Sequence, residues 1–417
     1  MNKSATPKSL SKYSFNTFSR RAVLSRFEKL QEGQITVTEG EKTMVFGNLT
    51  EDFPKSIYIN VVNAKFYSCI AFGGAIGASE AYMQQYWTCD ELVDVLRILI
   101  RNRDVLEKVD SGLALLKLPM RKLLHALNKN TRRGSRKNIA AHYDLSNEFY
   151  QLWLDQKMMY SCAFFDPPDA SLETAATQKL DRICKKLDLK IGDSVIEIGA
   201  GWGGFAIYAA TNYGCHVTTT TISQQQFDYA QRAIKEAGLE DRITILHQDY
   251  RDLSGNFDKL VSIEMIEAVG HSFHASYFKK CCELLKPDGQ MLLQAITIAD
   301  QRYKQYKNSV DFINKYIFPG GCLTSVTSMT ETITRYTDMR VFHLEDMAPH
   351  YAKTLNHWHN SFFAHIEDIR KLGFSDSFIH LWDYYLCYCE SAFTERATGV
   401  VQMLIMRPNL RREKISY

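Results

Sequence analysis

A strand that runs into closely spaced glycines brings bare backbone up to a ligand, and residues 196–205, IEIGAGWGGF, have that form. Gly199 and Gly201 allow a sharp turn, and Glu197 at the strand end offers carboxylate acceptors to the polar groups of a ligand. The spacing is G-x-G-x-G-G, not the G-x-G-x-x-G of dinucleotide sites. Residues 221–226, TISQQQ, lack the acid expected opposite a ribose; Ser223 and Gln226 also fit a helix capping box. Glu267 opens the otherwise uncharged EAVGHSF after an apolar run, where a carboxylate has either a chemical task or a helix start to serve. Cys162 lies in the polar-aromatic MYSCAFF, as a ligand contact or a small buried residue. Cys389 falls on an apolar helical stripe, where a free cysteine is usually packing.

These residues need a scaffold, and from residue 139 onward helix and strand patterns alternate as in a parallel α/β sheet. Ser171 is placed to cap a helix with Leu172, Ala176, Leu180, Ile183 and Leu187 on one face. Strands are expected at 195–198, 216–221, 243–246, 260–263, 291–296 and 400–406. A glycine-rich turn with its own preceding helix and these following strands favours S-adenosylmethionine over NAD. Two amphipathic helices are expected near the end, one carrying Leu355, Trp358, Phe362, Ile366 and Ile369, the other Ile379, Trp382, Leu386, Cys389 and Phe393. Ahead of this region, residues 1–118 mix strand-like runs (35–37, 57–62) with a helical stretch at 89–100.

Between the two lies PMRKLLHALNKNTRRGSRKN, residues 119–138, whose seven Lys and Arg face no acid. It reads as a solvated linker or as a surface for anionic headgroups. Over the 417 residues, Lys+Arg 50 against Asp+Glu 47 leaves +3, and no helix-turn-helix or aromatic-rich basic pattern accompanies the connector, so nucleic acid is not an expected partner. The ten cysteines show no C-x-x-C spacing, so no metal site is expected, and reduced thiols in a cytoplasmic protein are the default. Residues 66–79, FYSCIAFGGAIGAS, are too short to span a bilayer.

The segments AHYDLSNEFY (141–150), MYSCAFF (159–165), IEIGAGWGGFA, TISQQQ, QDYRDL (248–253), INKYIFPGGCL (313–323) and ESAF (390–393) together resemble the cyclopropane fatty acid synthase family. The resemblance implies a class I S-adenosylmethionine-dependent methyltransferase, α/β and Rossmann-like, with a mostly parallel seven-stranded sheet. It implies a small α+β lipid-associated domain (1–118), the basic linker (119–138) and a catalytic domain (139–417). Tyr160, Ser161, Gly199 and Gly201 would hold the methionine end of the cofactor, Thr221 and Gln226 the ribose, Tyr250 and Arg251 the adenine.

The implied reaction puts a methyl carbon on the cis double bond of a phospholipid acyl chain and removes a proton to close a cyclopropane ring. By resemblance the base is a bound bicarbonate, held by Cys162, Glu267, the Ile296 backbone and Tyr351. Cys389 matches a cysteine the family treats as active. Gln294 stands where many members carry histidine, a plant-like variant; an amide binds an anion but relays no proton. Three alternatives stay open: a methyl-branched product, an amine methyltransferase, and a non-catalytic lipid- or cofactor-binding relative. Peripheral contact with an anionic membrane and a homodimer belong to the same expectation, with Tyr316 and Phe318 as tunnel lining.

Overall fold

The computed structural model describes residues 12–107 and 145–415, which cluster into two compact units. One comprises 12–107 with Ser375–Ser391; the other comprises 145–374 with 392–415. The basic connector and residues 141–144 of the first motif lie outside the described residues.

In the smaller unit, β1 (Gly33–Glu39) and β2 (Lys42–Asn48) form a hairpin closed at Gly40, whose φ of 60° suits a tight two-residue turn. β3 (Ile57–Val61) lies parallel to β1 and alternates buried with exposed side chains, as a sheet with one covered face requires; β4 (Trp87–Cys89) completes the order β2-β1-β3-β4. The expected strands are present, and the helical stretch begins later, at Leu92–Arg101, because Trp87–Cys89 pairs with β3. Residues 66–79 belong to the helix Lys65–Met83, which breaks its geometry at Gly74. No helix among the described residues is long and apolar enough to cross a membrane. Ser375–Ser391, expected in the catalytic part, clusters with this unit instead: Tyr82 donates to Asp383 over 2.6 Å and Ser391 to the Val93 carbonyl over 2.9 Å.

The larger unit holds a seven-stranded sheet ordered β10-β11-β9-β8-β5-β6-β7. Its strands are β5 (Ser194–Ile198), β6 (His216–Thr221), β7 (Ile243–His247), β8 (Phe257–Ile263), β9 (Leu285–Ile298), β10 (Arg340–Asp346) and β11 (Thr398–Met406). β5, β6, β7, β8 and β9 run parallel, whereas β11 is antiparallel to both β9 and β10. This is the class I methyltransferase arrangement anticipated from the sequence. β10 was not expected, because an edge strand reading RVFHLED lacks the continuous apolar run that marks the central strands. The first late helix ends at Ala364 and restarts at Ile366–Lys371, so its apolar stripe spans two helices.

β5 and β8 are neighbours although β6 and β7 separate them in sequence. In an open α/β sheet the crevice forms where the strand order reverses, beyond the carboxyl ends of the strands. Glu197, Gly199 and Thr221 stand at the ends of β5 and β6, while Gln294 and Ile296 approach the end of β9.

Candidate active site

The glycine turn has the shape the sequence predicts. Gly199 and Gly201 adopt φ of 101° and 51°, and the amides of Gly199 and Ala200 both donate to the Thr220 carbonyl, at 3.1 and 2.8 Å. A Cβ built at Gly201 would meet nothing within 4 Å, so the turn borders open space of the kind a ligand fills. Glu197 is buried and accepts from the Thr219 hydroxyl over 2.6 Å; burial raises its carboxyl to about 8. Ser223 caps the helix Gln224–Glu236 through the Gln226 amide, while the Thr221 hydroxyl donates to Gln226 Oε1 over 2.9 Å. Both readings of TISQQQ meet here, since the cap holds the two residues at the crevice. Arg251 is held by Asp249 through two contacts, of 2.8 and 2.6 Å, beside Tyr250, whose ring meets Tyr277 edge-on at 5.6 Å. These residues fit S-adenosylmethionine: open glycine backbone, hydroxyl and amide groups, and an aromatic face.

The loop bearing Tyr160, Ser161 and Cys162 is pinned from two sides. The Ala163 and Phe165 amides donate to Thr354 Oγ1 and His350 Nδ1, both over 3.1 Å, on the helix Ala348–Ala364. Ser161 accepts from Lys179, which is fully buried on the helix Leu172–Lys186; burial draws that ammonium down to about 8. Tyr160 sits among aromatic rings, with centroids at 5.3 Å to Trp358, 5.4 Å to Trp153, 5.6 Å to Tyr150 and 6.3 Å to Phe318. Ring faces around a site favour electron-poor centres. Tyr316 instead lies beside Phe312 and Lys315.

The centre of the site is a carboxylate that sequence reasoning missed. Glu264, directly after β8, accepts from the Cys162 amide (2.9 Å) and Gln294 Nε2 (2.7 Å) on Oε1, and from the Tyr351 hydroxyl (2.6 Å) on Oε2. Its φ is 49°, a left-handed conformation that costs a non-glycine residue on the order of 1–3 kcal/mol and clusters at functional positions. Burial raises its pKa, while the three donors and nearby Lys179 act in the opposite direction. Glu267 accepts from the Ile296 amide over 2.5 Å through Oε1; its Oε2 is buried and meets no donor. Burial first, and then Glu264, push the Glu267 carboxyl up to about 8. The signal in the sequence was the first acid of IEMIE, three residues before Glu267 at an apolar strand's end.

These contacts bear on two expectations. A bicarbonate does not fit the donors assigned to it, because Cys162 and Tyr351 are engaged by Glu264, as is Gln294, and Ile296 by Glu267. A further anion there would meet the Glu264 carboxylate with these four donors already engaged, and of the residues assigned to it Glu267 keeps an unpartnered carboxyl oxygen, Oε2. The Cys162 thiol is buried and points to the Ala163 carbonyl at 3.2 Å, and burial raises its pKa well above the ordinary value, so it contributes its amide and not a thiolate. Cys389 belongs to Ser375–Ser391 and hence to the other unit.

Residues 130–403 match the mycolic acid cyclopropane synthetase family. The chain is 36% identical to the tuberculostearic acid methyltransferase of Mycobacterium tuberculosis over 80% of its own length and 79% of that protein. It is also 36% identical to the cyclopropane-fatty-acyl-phospholipid synthase of Escherichia coli, over 84% of its length and 87% of that protein. Among solved structures, a mycolic acid cyclopropane synthase complexed with SAH and CTAB superposes with a TM-score of 0.61 at 28% identity, covering 65% of this chain and 98% of that one. A crevice at the β5–β8 switch point, an aromatic wall and this extent of similarity lead to one assignment: the chain belongs to the mycolic acid cyclopropane synthetase family and is an S-adenosylmethionine-dependent methyltransferase.

Proposed function

We propose that the protein adds a methyl-derived carbon to the cis double bond of phospholipid acyl chains and closes a cyclopropane ring. S-adenosylmethionine, when bound, supplies an electrophilic methyl and departs as a thioether. The chain's own residues do the rest. Gly199 and Gly201 bring backbone against the cofactor, while the rings around Tyr160 exclude water and stabilise positive charge developing on the alkene carbons. One observation carries the reading: a part-buried carboxylate, Glu264, held by three donors, stands with this aromatic wall at one crevice. An alkene needs both, an apolar wall for the chain and a group to take up a proton. An amine substrate needs neither the wall nor an acid so firmly held.

A methyl-branched product is the second reading. It is favoured by one of two relatives of equal identity, the tuberculostearic acid methyltransferase, whereas the other makes the cyclopropane lipid its name states. As part of the same proposal, the basic residues 119–138 rest on anionic headgroups at the cytoplasmic face, and two copies share one membrane patch. Residues 1–118 then serve as lipid-associated domain, 119–138 as linker and 139–417, apart from Ser375–Ser391, as catalytic domain.

Purified protein is incubated with S-adenosylmethionine and vesicles of cis-unsaturated phospholipid, and the released fatty esters are analysed by mass spectrometry and proton NMR. Both products gain one CH2, and NMR separates them. Cyclopropyl protons support ring closure, retained olefinic protons support branching, and no mass gain defeats the catalytic reading.

A further inference from the structure

We propose that Glu264 is the proton acceptor of this enzyme, a carboxylate built into the chain that makes an external anion unnecessary. The inference rests on the lipid-modifying reading above.

Three donors from three separate elements converge on Glu264: the Cys162 amide from the loop after Tyr160, Gln294 from β9 and Tyr351 from the helix Ala348–Ala364. Convergence of this kind holds an ionised carboxylate, because each donor favours the charged form. Gln294 presents its NH2 for a structural reason. Its carbonyl oxygen is taken by the Gln402 amide at 2.9 Å, and the Gln402 oxygen by the buried Lys186 ammonium at 2.7 Å. A cation at one end thus sets the orientation of both amides, and the last one delivers a donor to Glu264. Lys179, buried beside the site, supplies compensating charge. Glu267, by contrast, is anchored by a single backbone amide and is the carboxyl of the pair that holds its proton near neutrality. The backbone carries independent weight, since a left-handed glutamate at the end of β8 is retained against its conformational cost.

The step balances. The sulfonium C–S bond breaks and its pair stays on sulfur, while the alkene π pair forms a bond to the methyl carbon and leaves positive charge on the adjacent carbon. One C–H bond of the added methyl then breaks. Its electron pair closes the ring, and the proton passes to the Glu264 carboxylate, to be returned to water after the product leaves.

The test measures turnover of wild-type protein on cis-unsaturated phospholipid vesicles in CO2-stripped buffer, with and without added bicarbonate. Unchanged wild-type turnover is expected, together with a loss of ~100-fold or more in Glu264→Gln, the range of a general base. Calorimetric titration with S-adenosylmethionine should show cofactor binding retained in that variant. Glu264→Gly suits the positive φ and opens space, so its turnover should return as bicarbonate is added. A wild-type enzyme that depends on bicarbonate overturns this inference alone. So does a Glu264→Gln variant that remains active, or one that outperforms Glu267→Gln. Absence of any lipid product under both conditions overturns the lipid reading and this inference with it.

Discussion

Gln402 on β11 lies directly across from Gln294 on β9 and donates its amide to the Gln294 oxygen over 2.9 Å. Both side chains are fully buried, so neither has water to fall back on. Replacing Gln402 with Leu leaves the Gln294 oxygen and the Lys186 ammonium each short of a partner. Such a loss costs about 1–3 kcal/mol per unsatisfied group. It also frees the Gln294 amide to rotate away from Glu264. Gln402→Leu is therefore expected to lower the unfolding free energy in urea and to cut turnover by roughly tenfold or more, the effect of misplacing a group near the chemistry. Full activity in a destabilised variant would separate the amide pair from the site.

Glu267 gives a pH dependence whose sign is fixed. Its carboxyl is raised from 4.5 to about 8 in the folded protein, so the folded state binds the proton more tightly than the unfolded chain. The associated stability is complete below pH 4.5 and is lost as pH rises through about 8. Glu267→Gln keeps an oxygen for the Ile296 amide and removes the titration. The stability difference between wild type and variant, from urea unfolding at fixed pH values, should shift in favour of the variant across that window. A difference independent of pH would show that Glu267 ionises normally.

The two glycines of the turn should fail differently when changed to alanine. At Gly199 the φ of 101° is strained for any side chain, and the Cβ would come within 3.2 Å of the Met265 side chain. Gly199→Ala should thus lose both stability, by about 1–2 kcal/mol, and cofactor affinity. At Gly201 the φ of 51° also strains a side chain, but no atom lies within 4 Å, so the methyl projects into the space assigned to the cofactor. Gly201→Ala should lose less stability than Gly199→Ala, because it carries the backbone strain without the contact to Met265, yet bind S-adenosylmethionine at least ~10-fold more weakly, equivalent to about 1.4 kcal/mol. Equal effects at the two positions in thermal melts and calorimetric titrations would contradict this division.

The parallel sheet was legible because its central strands are covered on both faces and read as apolar runs. β10, with one side at the sheet edge, gave no such run. The glycine turn was legible from its spacing, whereas the tasks of the residues around it came from the resemblance. The polar interior was not, because buried charges look like surface charges until the fold pairs them. Lys179 and Lys186 illustrate this: they fall seven apart on the same stripe as Ala176 and Ile183, and both are buried. Glu264 was hidden by its neighbour, since the resemblance assigned the chemistry to Glu267 and to a bound anion.

The cysteines provide a last separation of packing from chemistry. Cys162 is fully buried, its thiol hydrogen is directed at the Ala163 carbonyl, and burial holds it protonated at neutral pH. Alkylation needs the thiolate and access to it, and Cys162 offers neither. Iodoacetamide treatment of the folded protein followed by peptide mass spectrometry should leave Cys162 unmodified, with labelling only after unfolding in urea. Cys389, half-buried in the unit that contains Ser375–Ser391, is expected to leave turnover unchanged when replaced by serine. Rapid labelling of Cys162 in the native state with loss of activity would point to a nucleophilic thiol. The role of the Cys162 amide as a donor to Glu264 would then have to be reconsidered, because a reactive thiolate cannot share so small a space with an ionised carboxylate without a strong rise in the pKa of one of them.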